Sequence, residues 1–294
     1  MKKIPKNARI LSVSHNDLDG VGCQILLGSV FRNIEYRNCS YYNIDKELMN
    51  INGDDYDYVF VTDISPKIDE VMDAYDNLIL IDHHQSAENV PEKNRFVNKK
   101  YSATFLTNHF LTKMYGKERF TKFSKLVKLI NDYDMWTLKY KGSKALNDLY
   151  SLYNAKKFRE RFRSGKLSLN KTETEYLDGV QAKFDKLYDE IEISEFEKIN
   201  ACWFQSDVFV NELSHKLMEE EGYDCVMFNT LKSYKVGIRS SMDDFNFGTY
   251  LQDKEIGGGH KKAAGVEASS QEEMNKLVDF LEQDLYKTIP SIRK

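Results

Sequence analysis

Three short polar stretches of this chain contain residues that could do chemistry, and each directly follows an apolar run. They are the segment HNDLDGVGC at 15–23, Asp63, and the triplet Asp82-His83-His84. Carboxylates and imidazoles are ligands that hard and borderline divalent cations take in proteins. Taken singly, each stretch could be a polar cap or a turn. Their joint occurrence indicates a metal-binding site.

The apolar runs before these stretches span 10–13, 58–62 and 77–81 and are typical of buried strands. In an open α/β sheet, ligands bind at the carboxyl ends of the strands. Because carboxylates gathered there would repel one another, cations are their natural compensation, and we expect a dinuclear centre. The side chains expected to meet are His15, Asp17, Asp19, Asp63 and His83. Gly20 and Gly22 are expected to let the chain turn tightly into a helix whose N-terminus favours anions.

A further acidic pair follows the apolar helix predicted at 120–132, within the segment INDYDMW at 130–136. A carboxylate at a helix C-terminus faces an unfavourable dipole unless a cation offsets it. Asp132 or Asp134 is therefore a candidate for the last metal ligand. The spacing alone does not choose between them.

A glycine-rich segment near the C-terminus could bind an anion. Gly257, Gly258 and Gly259 precede His260, and consecutive glycines can expose backbone N–H groups that cradle a phosphate. Arg239 ends a strand predicted before this segment and could add positive charge. The alternative for three glycines alone is a flexible turn.

The composition limits the classes of function. The chain has 294 residues, is 41% apolar and carries a net charge of −4, so its overall charge does not favour binding of long nucleic acids. No run approaches the length of a membrane-spanning helix, and no association with a membrane is expected. The four cysteines are scattered, which is typical of reduced thiols in a cytoplasmic protein.

The order of the predicted elements indicates an α/β fold. Residues 8–100 alternate strands (10–13, 34–42, 54–63 and 77–82) with helices (21–32 and 68–75), which favours a mainly parallel sheet. Helical spacing follows, at 103–115, 120–132, 146–153, 156–162 and 172–195. Strands are then predicted at 198–205, 223–229 and 234–239, and helices at 208–220 and 271–286. We predict a parallel-sheet domain at 1–190, with its helical part at 103–195, linked to a smaller α/β domain at 198–294.

The motifs resemble those of the DHH phosphoesterase superfamily, and they follow one another in the order expected for it. HNDLDG at 15–20 resembles the first motif, Asp63 the second and Asp82-His83-His84 the third, while Asp132 resembles the fourth better than Asp134 does. GGGHKKAAG at 257–265 resembles the signature of the DHH-associated C-terminal domain. The HNDLDGVG and INDYDMW segments most resemble the nanoRNase branch.

The resemblance implies a role for each motif residue. Two Mn²⁺ ions, with Mg²⁺ or Co²⁺ as alternatives, would be held by two ligand sets that share Asp63. One set is His15, Asp17 and Asp63, and the other is Asp19, Asp63, His83 and Asp132. His84 would face the substrate phosphate and Asp82 would orient a histidine, so the predicted catalytic group is Asp63, Asp82 and His84. Substrate binding is assigned to Arg239, Gly257, Gly258, Gly259 and His260.

The implied function is that of a Mn²⁺-dependent phosphodiesterase or exonuclease that hydrolyses short oligonucleotides (nanoRNA) to mononucleotides. Its partners would be short oligonucleotides or nucleotides, and a homodimer is a possible oligomeric state. The alternatives are a cyclic-dinucleotide phosphodiesterase, a 3′-phosphoadenosine 5′-phosphate phosphatase and a RecJ-like single-strand exonuclease. A nucleotide-binding sensor on a DHH fold is the non-enzyme alternative.

Overall fold

Two compact units make up the chain, at Met1–Val180 and Gln181–Lys294. The computed structural model describes residues 3–66, 76–84, 87 and 95–288. The helix predicted at 68–75 and Gln85 lie outside the described residues. Within the described residues, no helix combines the length and the apolar character needed to cross a membrane.

The first unit is built on five parallel strands. They are β1 (Arg9–His15), β2 (Asn33–Cys39), β3 (Tyr58–Thr62), β4 (Leu78–Asp82) and β5 (Arg95–Val97). The sheet order is β2-β1-β3-β4-β5, and every neighbouring pair is parallel. The predicted α/β class with a mainly parallel sheet is thereby confirmed. The short strand β5 was not predicted, because three residues are too few to show a period.

Helices cover both faces of this sheet. The helices of this unit are α1 (Leu18–Gly28), α2 (Ile44–Met49), α3 (Ala103–Tyr115), α4 (Ser124–Asp134), α5 (Lys141–Leu152) and α6 (Ala155–Phe162), with 3₁₀ turns at Gly53–Asp55 and Lys117–Phe123. The next helix, α7 (Lys171–Glu190), begins in this unit and ends in the second. Side chains alternate across each strand, so Ile10 and Phe60 pack under α1, α3 and α4 while Leu11 and Val59 pack under α2. The sheet is therefore buried on both sides, as parallel sheets usually are.

The second unit has a mixed six-stranded sheet. Its elements are β6 (Ile193–Glu195), β7 (Ala201–Gln205), α8 (Val210–Glu220), β8 (Cys225–Thr230), β9 (Lys235–Ser240), α9 (Phe247–Asp253), β10 (Gly258–His260), β11 (Ala263–Glu267) and α10 (Gln271–Thr288). The sheet order is β10-β11-β9-β8-β7-β6, in which β7 and β8 are parallel and the other pairs antiparallel.

The structure of this region differs from the sequence-based prediction at three places. Residues 193–195 were predicted to end the long helix, but α7 ends at Glu190 and these residues pair with β7 instead. Helix α9 was not predicted, because its seven residues show too little periodicity; Asn246 caps it by accepting from the N–H of Thr249. The glycine-rich segment, for which a flexible turn was the alternative, contributes Gly258–His260 as strand β10.

Candidate metal centre

The carboxyl ends of β1, β3 and β4 lie side by side and bring the predicted ligands together. The strands pair as far as Ser14 with Thr62 and Thr62 with Ile81. The buried hydroxyls of Ser14 and Thr62 lie 2.8 Å apart, which joins the ends of β1 and β3 by a side-chain hydrogen bond. The residues that follow these strands therefore share one edge of the sheet.

Asp63 lies at the centre of this edge and is 1% exposed. Its backbone has a φ of 60°, a left-handed conformation that Asp tolerates better than most residues. Its Oδ1 lies 3.3 Å from Nε2 of His83, and its Oδ2 lies 3.8 Å from Nδ1 of His15. Burial, and then the charges of Asp17 and Asp19, raise the pKa of Asp63 well above its usual range. A cation beside this carboxylate would relieve both effects.

Three groups of donor atoms in this cluster could each hold a metal ion, with all atoms of a group within 4.8 Å of one another. They are His15, Asp17 and Asp63; Asp19, His83 and Asp134; and Asp63, Asp82, His83 and His84. Within the described residues, three buried atoms of the cluster accept or donate no hydrogen bond: Asp63 Oδ2, His83 Nε2 and Asp134 Oδ2. Buried polar atoms are normally satisfied, so this donor set fits divalent ions.

Asp17 connects the candidate metal centre to helix α1. Its Oδ1 accepts from the N–H of Gly20 at 2.9 Å, and its Oδ2 is hydrogen-bonded to Nδ1 of His15 at 2.7 Å. Burial acts to raise the pKa of Asp17, but the hydrogen bond and charge of His15 outweigh it, and the pKa is lowered. The N-terminus of α1, expected to favour anions, is therefore capped by the chain's own carboxylate.

Asp19 is held by the N-terminus of α3. The N–H groups of Ala103 and Thr104 donate to its two carboxylate oxygens at 2.6 and 2.9 Å. The Thr104 hydroxyl donates to the main-chain oxygen of Asp19 at 2.7 Å. The positive end of a helix dipole thus stabilises a buried carboxylate and fixes its direction toward His83.

Gly20 and Gly22 serve close packing, which corrects the expectation of a tight turn. Both lie inside α1, and neither has a positive φ. A Cβ on Gly20 would lie 2.2 Å from the carbonyl oxygen of His15, and one on Gly22 would lie 2.2 Å from the hydroxyl of Thr104. The absence of side chains therefore lets α1 approach both the end of β1 and helix α3.

The structure places Asp134, and not the preferred candidate Asp132, beside the other predicted ligands. Asp134 Oδ2 lies 3.5 Å from Nε2 of His83, and burial and then the charge of Asp19 raise the pKa of Asp134 well above its usual range. Asp132 instead organises the loop after α4. Its carboxylate accepts from the Thr137 hydroxyl and from the N–H groups of Lys139 and Tyr140 at 2.6, 2.9 and 3.1 Å.

Asp82 orients a histidine, and that histidine is His84. Its Oδ1 is hydrogen-bonded to Nδ1 of His84 at 2.8 Å, and its Oδ2 accepts from the Ser65 hydroxyl at 2.5 Å. Burial acts to lower the pKa of His84, but the bond to Asp82 outweighs it and raises the pKa. Burial lowers the pKa of His83, which favours the neutral form that binds metals.

Sequence reasoning did not identify Tyr41 as a site residue. Its hydroxyl is hydrogen-bonded to Nε2 of His84 at 2.9 Å, and its ring lies 4.8 Å from the ring of His15. Tyr41 follows β2 and is near the site only because β2 neighbours β1 in the sheet. The Tyr-rich stretch 36–42 was the available signal, but it does not indicate which tyrosine faces the site.

Four of the five predicted substrate residues line a cavity of about 480 Å³ in the second unit. Its lining includes Arg239, Lys235 and the segment Gly257–Gly259, but not the exposed His260. Asn211 Oδ1 accepts from Nε and Nη2 of Arg239 at 3.1 and 2.8 Å, and burial lowers the pKa of Arg239. Gly259 has a φ of 140°, so a side chain there would be strained.

Comparisons with known proteins agree with this arrangement. Residues 9–132 match the DHH family, N-terminal domain, and residues 206–287 match the DHHA1 domain. The chain is 24% identical to oligoribonuclease NrnB of Bacillus subtilis (strain 168), over 88% of this chain and 72% of that protein. It is 26% identical to a 3′,5′-cyclic-nucleotide phosphodiesterase of Helicobacter pylori (strain ATCC 700392 / 26695), over 44% of each protein.

The fold is shared with a solved nuclease. RecJ of Thermus thermophilus, in complex with Mn²⁺, superposes with a TM-score of 0.59 at 13% identity, over 98% of this chain. This chain spans 53% of that RecJ chain, and the likeness concerns the fold alone. The two domains match in the order in which their motifs occur, so the resemblance is confirmed: the chain belongs to the DHH family of metal-dependent phosphoester hydrolases, in its nanoRNase-like branch.

Proposed function

We propose that this chain hydrolyses short oligonucleotides to mononucleotides with two Mn²⁺ ions, for which Mg²⁺ or Co²⁺ could substitute. The position of Asp63 is the observation that carries the proposal. One oxygen of its carboxylate faces His15 and the other faces His83. A carboxylate with a potential ligand on each side fits a bridge between two ions.

The two proposed ligand sets follow from the donor groups. One set is the donor group His15, Asp17 and Asp63. The other is the donor group Asp19, His83 and Asp134, to which Asp63 is added because its Oδ1 lies 3.3 Å from Nε2 of His83. When bound, such ions acidify a water molecule and neutralise phosphoryl oxygens during in-line displacement. Asp19 is fixed by α3 and Asp17 by the start of α1, so these carboxylates are held in place by the fold.

His84 and Tyr41 are proposed to contact the phosphate. Asp82 fixes the His84 ring through Nδ1, which leaves Nε2 beside the Tyr41 hydroxyl at 2.9 Å. When His84 is protonated, its Nε2 donates to the Tyr41 hydroxyl, and that hydroxyl can donate to a phosphate oxygen that enters here beside the charge of His84. Donors fixed before the substrate arrives need no reorganisation as charge develops on the oxygen.

The second unit is proposed to bind the part of the nucleotide that is not cleaved. In this proposal residues 1–190 form the catalytic domain and residues 198–294 the substrate-binding domain, with Arg239, Gly257, Gly258, Gly259 and His260 as binding residues. The cavity beside Arg239 and Lys235 supports it, since both are cations. A net charge of −4 favours short substrates, because long strands usually need extended basic tracks.

The test compares substrates in parallel. Purified protein with Mn²⁺ is given a dinucleotide, a single strand of about twenty nucleotides, cyclic di-AMP and 3′-phosphoadenosine 5′-phosphate, and the products are separated by chromatography. We expect fast cleavage of the dinucleotide and a much slower reaction of the long strand. The control is Asp63→Asn, which keeps the side-chain shape and should be inactive while remaining folded.

Each other result would replace a specific part of the proposal. Equal rates on both strand lengths would indicate a RecJ-like exonuclease, and preference for either nucleotide would change the substrate. Full activity of Asp63→Asn would refute the two-metal centre. No turnover of any substrate would favour the nucleotide-binding sensor.

A further inference from the structure

A second polar cavity lies on the first unit, at the edge strand β2, and none of the metal-cluster residues lines it. It has a volume of about 410 Å³ and lies between α1, β2 and α6. Three cationic side chains and one carboxylate line it: Lys156, Arg159, Arg163 and Glu160. The cavity is therefore locally positive in a chain whose net charge is −4.

Arg159 is the most deeply placed of these cations. Its Nη1 donates to Gln24 Oε1 at 2.6 Å and to Asn38 Oδ1 at 3.3 Å, so its hydrogen-bond acceptors are neutral amides. It forms no ion pair with a carboxylate in the described part of the chain. Burial lowers the pKa of Arg159, although the charge of Glu160 acts in the opposite direction. Partly buried charges usually have a charged partner.

Tyr36 forms a fixed wall beside this guanidinium. The guanidinium carbon of Arg159 lies 4.2 Å from the centre of the Tyr36 ring. The Tyr36 hydroxyl lies so close to α1 that a Cβ on Gly28 would be 2.2 Å from it. Close packing of strand and helix thus holds the ring, and the ring in turn holds the plane of the guanidinium.

Lys156 and Arg163 stand at the exposed side of the cavity. Like Arg159, they form no ion pair within the residues that the structure describes. Because all three cations line the same cavity, a phosphate that reached Arg159 would also enter the field of Lys156 and Arg163. Guanidinium groups bind phosphate oxygens through a planar set of donors, and lysine adds a compact charge.

We infer that this cavity is an anion site that takes a phosphate group, with Arg159 as the inner ligand and Lys156 and Arg163 as outer ligands. Either a free mononucleotide or a distant phosphodiester of an oligonucleotide could supply that group. The site does not depend on the proposed hydrolysis, because its ligands are not metal ligands.

The site is also connected to the metal centre. Asn38, which accepts from Arg159, donates through Nδ2 to the main-chain oxygen of His15 at 3.4 Å. Gln24 is fully buried and donates to the main-chain oxygen of Arg37 at 3.0 Å. Arg159 itself therefore lies two hydrogen bonds away from His15, a proposed metal ligand, and an anion bound to Arg159 would lie one contact further.

The test measures binding in EDTA, so that no metal ion takes part. Orthophosphate and AMP form one arm and a short RNA oligonucleotide forms the other, each titrated by calorimetry. The double variant Lys156→Gln with Arg163→Gln removes two exposed cations outside the Gln24–Asn38 network, so the fold should be kept. We expect binding about tenfold weaker, since each such charge contributes up to about 1 kcal/mol.

The matched control is Lys157→Gln, which removes an exposed cation of the same helix that does not line the cavity. If the double variant, but not the control, binds AMP and orthophosphate more weakly while its binding of the oligonucleotide is unchanged, the ligand is a free phosphate compound. Weaker binding of the oligonucleotide alone identifies a phosphodiester. If wild type, double variant and control bind equally in both arms, the anion site is refuted.

Discussion

Asp132 and Asp134 have different partners although they lie two residues apart on α4. Asp134 faces His83 and Asp19, and its buried Oδ2 has no hydrogen bond within the described residues. Asp132 accepts three hydrogen bonds from the loop that follows the helix. One carboxylate is therefore suited to a cation and the other to holding the loop.

Substitution of each carboxylate by its amide separates these roles. Asp134→Asn should lower Mn²⁺-dependent hydrolysis at least ~100-fold, since even residues that only support a ligand cost 10–100-fold. Its stability without metal should not fall, because the change removes one of several crowded carboxylates. Asp132→Asn should lower the free energy of unfolding by about 1–3 kcal/mol, because charged hydrogen bonds are lost.

The measurements are the rate of hydrolysis and the rise in Tm on adding Mn²⁺. We expect that rise to be lost in Asp134→Asn and kept in Asp132→Asn. The reverse pattern would return the ligand role to Asp132.

Glu173 is a buried carboxylate with a full set of partners. Arg161 donates to it through Nε and Nη2 at 2.6 and 2.9 Å, and the Tyr153 hydroxyl donates at 3.0 Å. Glu173 also exchanges hydrogen bonds with Asn170, which forms a capping box at the start of α7. Burial acts to raise the pKa of Glu173, but the bond from Arg161 and the others outweigh it, and the pKa is lowered.

This lowered pKa predicts a pH-dependent stability. The contribution of ionised Glu173 to the free energy of unfolding is fully present above the usual carboxyl pKa of about 4.3. It is lost as the pH falls through the lowered pKa that Glu173 has in the folded protein. Glu173→Gln should cost about 3 kcal/mol at neutral pH, because it leaves Arg161 without its partner. Urea unfolding of both proteins from pH 7 to pH 3 should show the difference shrinking below about pH 4. A difference independent of pH would contradict this account.

At the scale of elements, the contact between α1 and α3 depends on a missing side chain. A Cβ on Gly22 would lie 2.2 Å from the Thr104 hydroxyl and 2.6 Å from Cδ1 of Ile130. Thr104 cannot move freely, because its hydroxyl donates to the main-chain oxygen of Asp19. The packing of two helices and the position of a proposed metal ligand are thus linked.

Gly22→Ala should therefore destabilise the protein by about 1–2 kcal/mol, because overpacking exceeds the gain in helix propensity. The matched control is Gly179→Ala in α7, where an added Cβ meets nothing within 4 Å. This variant should stabilise the protein by about 0.4–1 kcal/mol. Denaturant unfolding of both variants measures the two effects. Stabilisation by Gly22→Ala would show that α1 and α3 have room to separate.

At the scale of the whole molecule, the two tryptophans report on different units. Trp136 lies in the first unit, just after α4, and Trp203 lies in β7 of the second. The clustered carboxylates belong to the first unit. Metal binding should therefore stabilise the unit that Trp136 reports.

Thermal unfolding of Trp203→Phe, followed by Trp136 fluorescence, tests this. Mn²⁺ at about 100 times its Kd should raise the free energy of unfolding of the first unit by about 2.7 kcal/mol, and EDTA should abolish this increase. For a unit of this size the rise in Tm is roughly 5–10 °C. Adding Asp63→Asn should remove the rise, and a rise that persists in that variant would place the ions elsewhere.

The parallel sheet and most of the candidate metal ligands could be predicted from the sequence. The candidate ligands directly follow apolar runs that predict buried strands. Because the carboxyl ends of parallel strands share one edge of the sheet, these side chains are expected to lie together. His15, Asp17, Asp19, Asp63 and His83 were found in this way, and the structure brings them together.

The features that depend on contacts between distant segments could not be predicted from the sequence. The loop after α4 donates hydrogen bonds to Asp132, so Asp134 is the carboxylate left to face His83. Tyr41 reaches His84 because β2 lies beside β1. Arg159 meets Gln24 across a separation of 135 residues. No local period encodes such contacts, because they arise from helix packing and from the order of strands in the sheet.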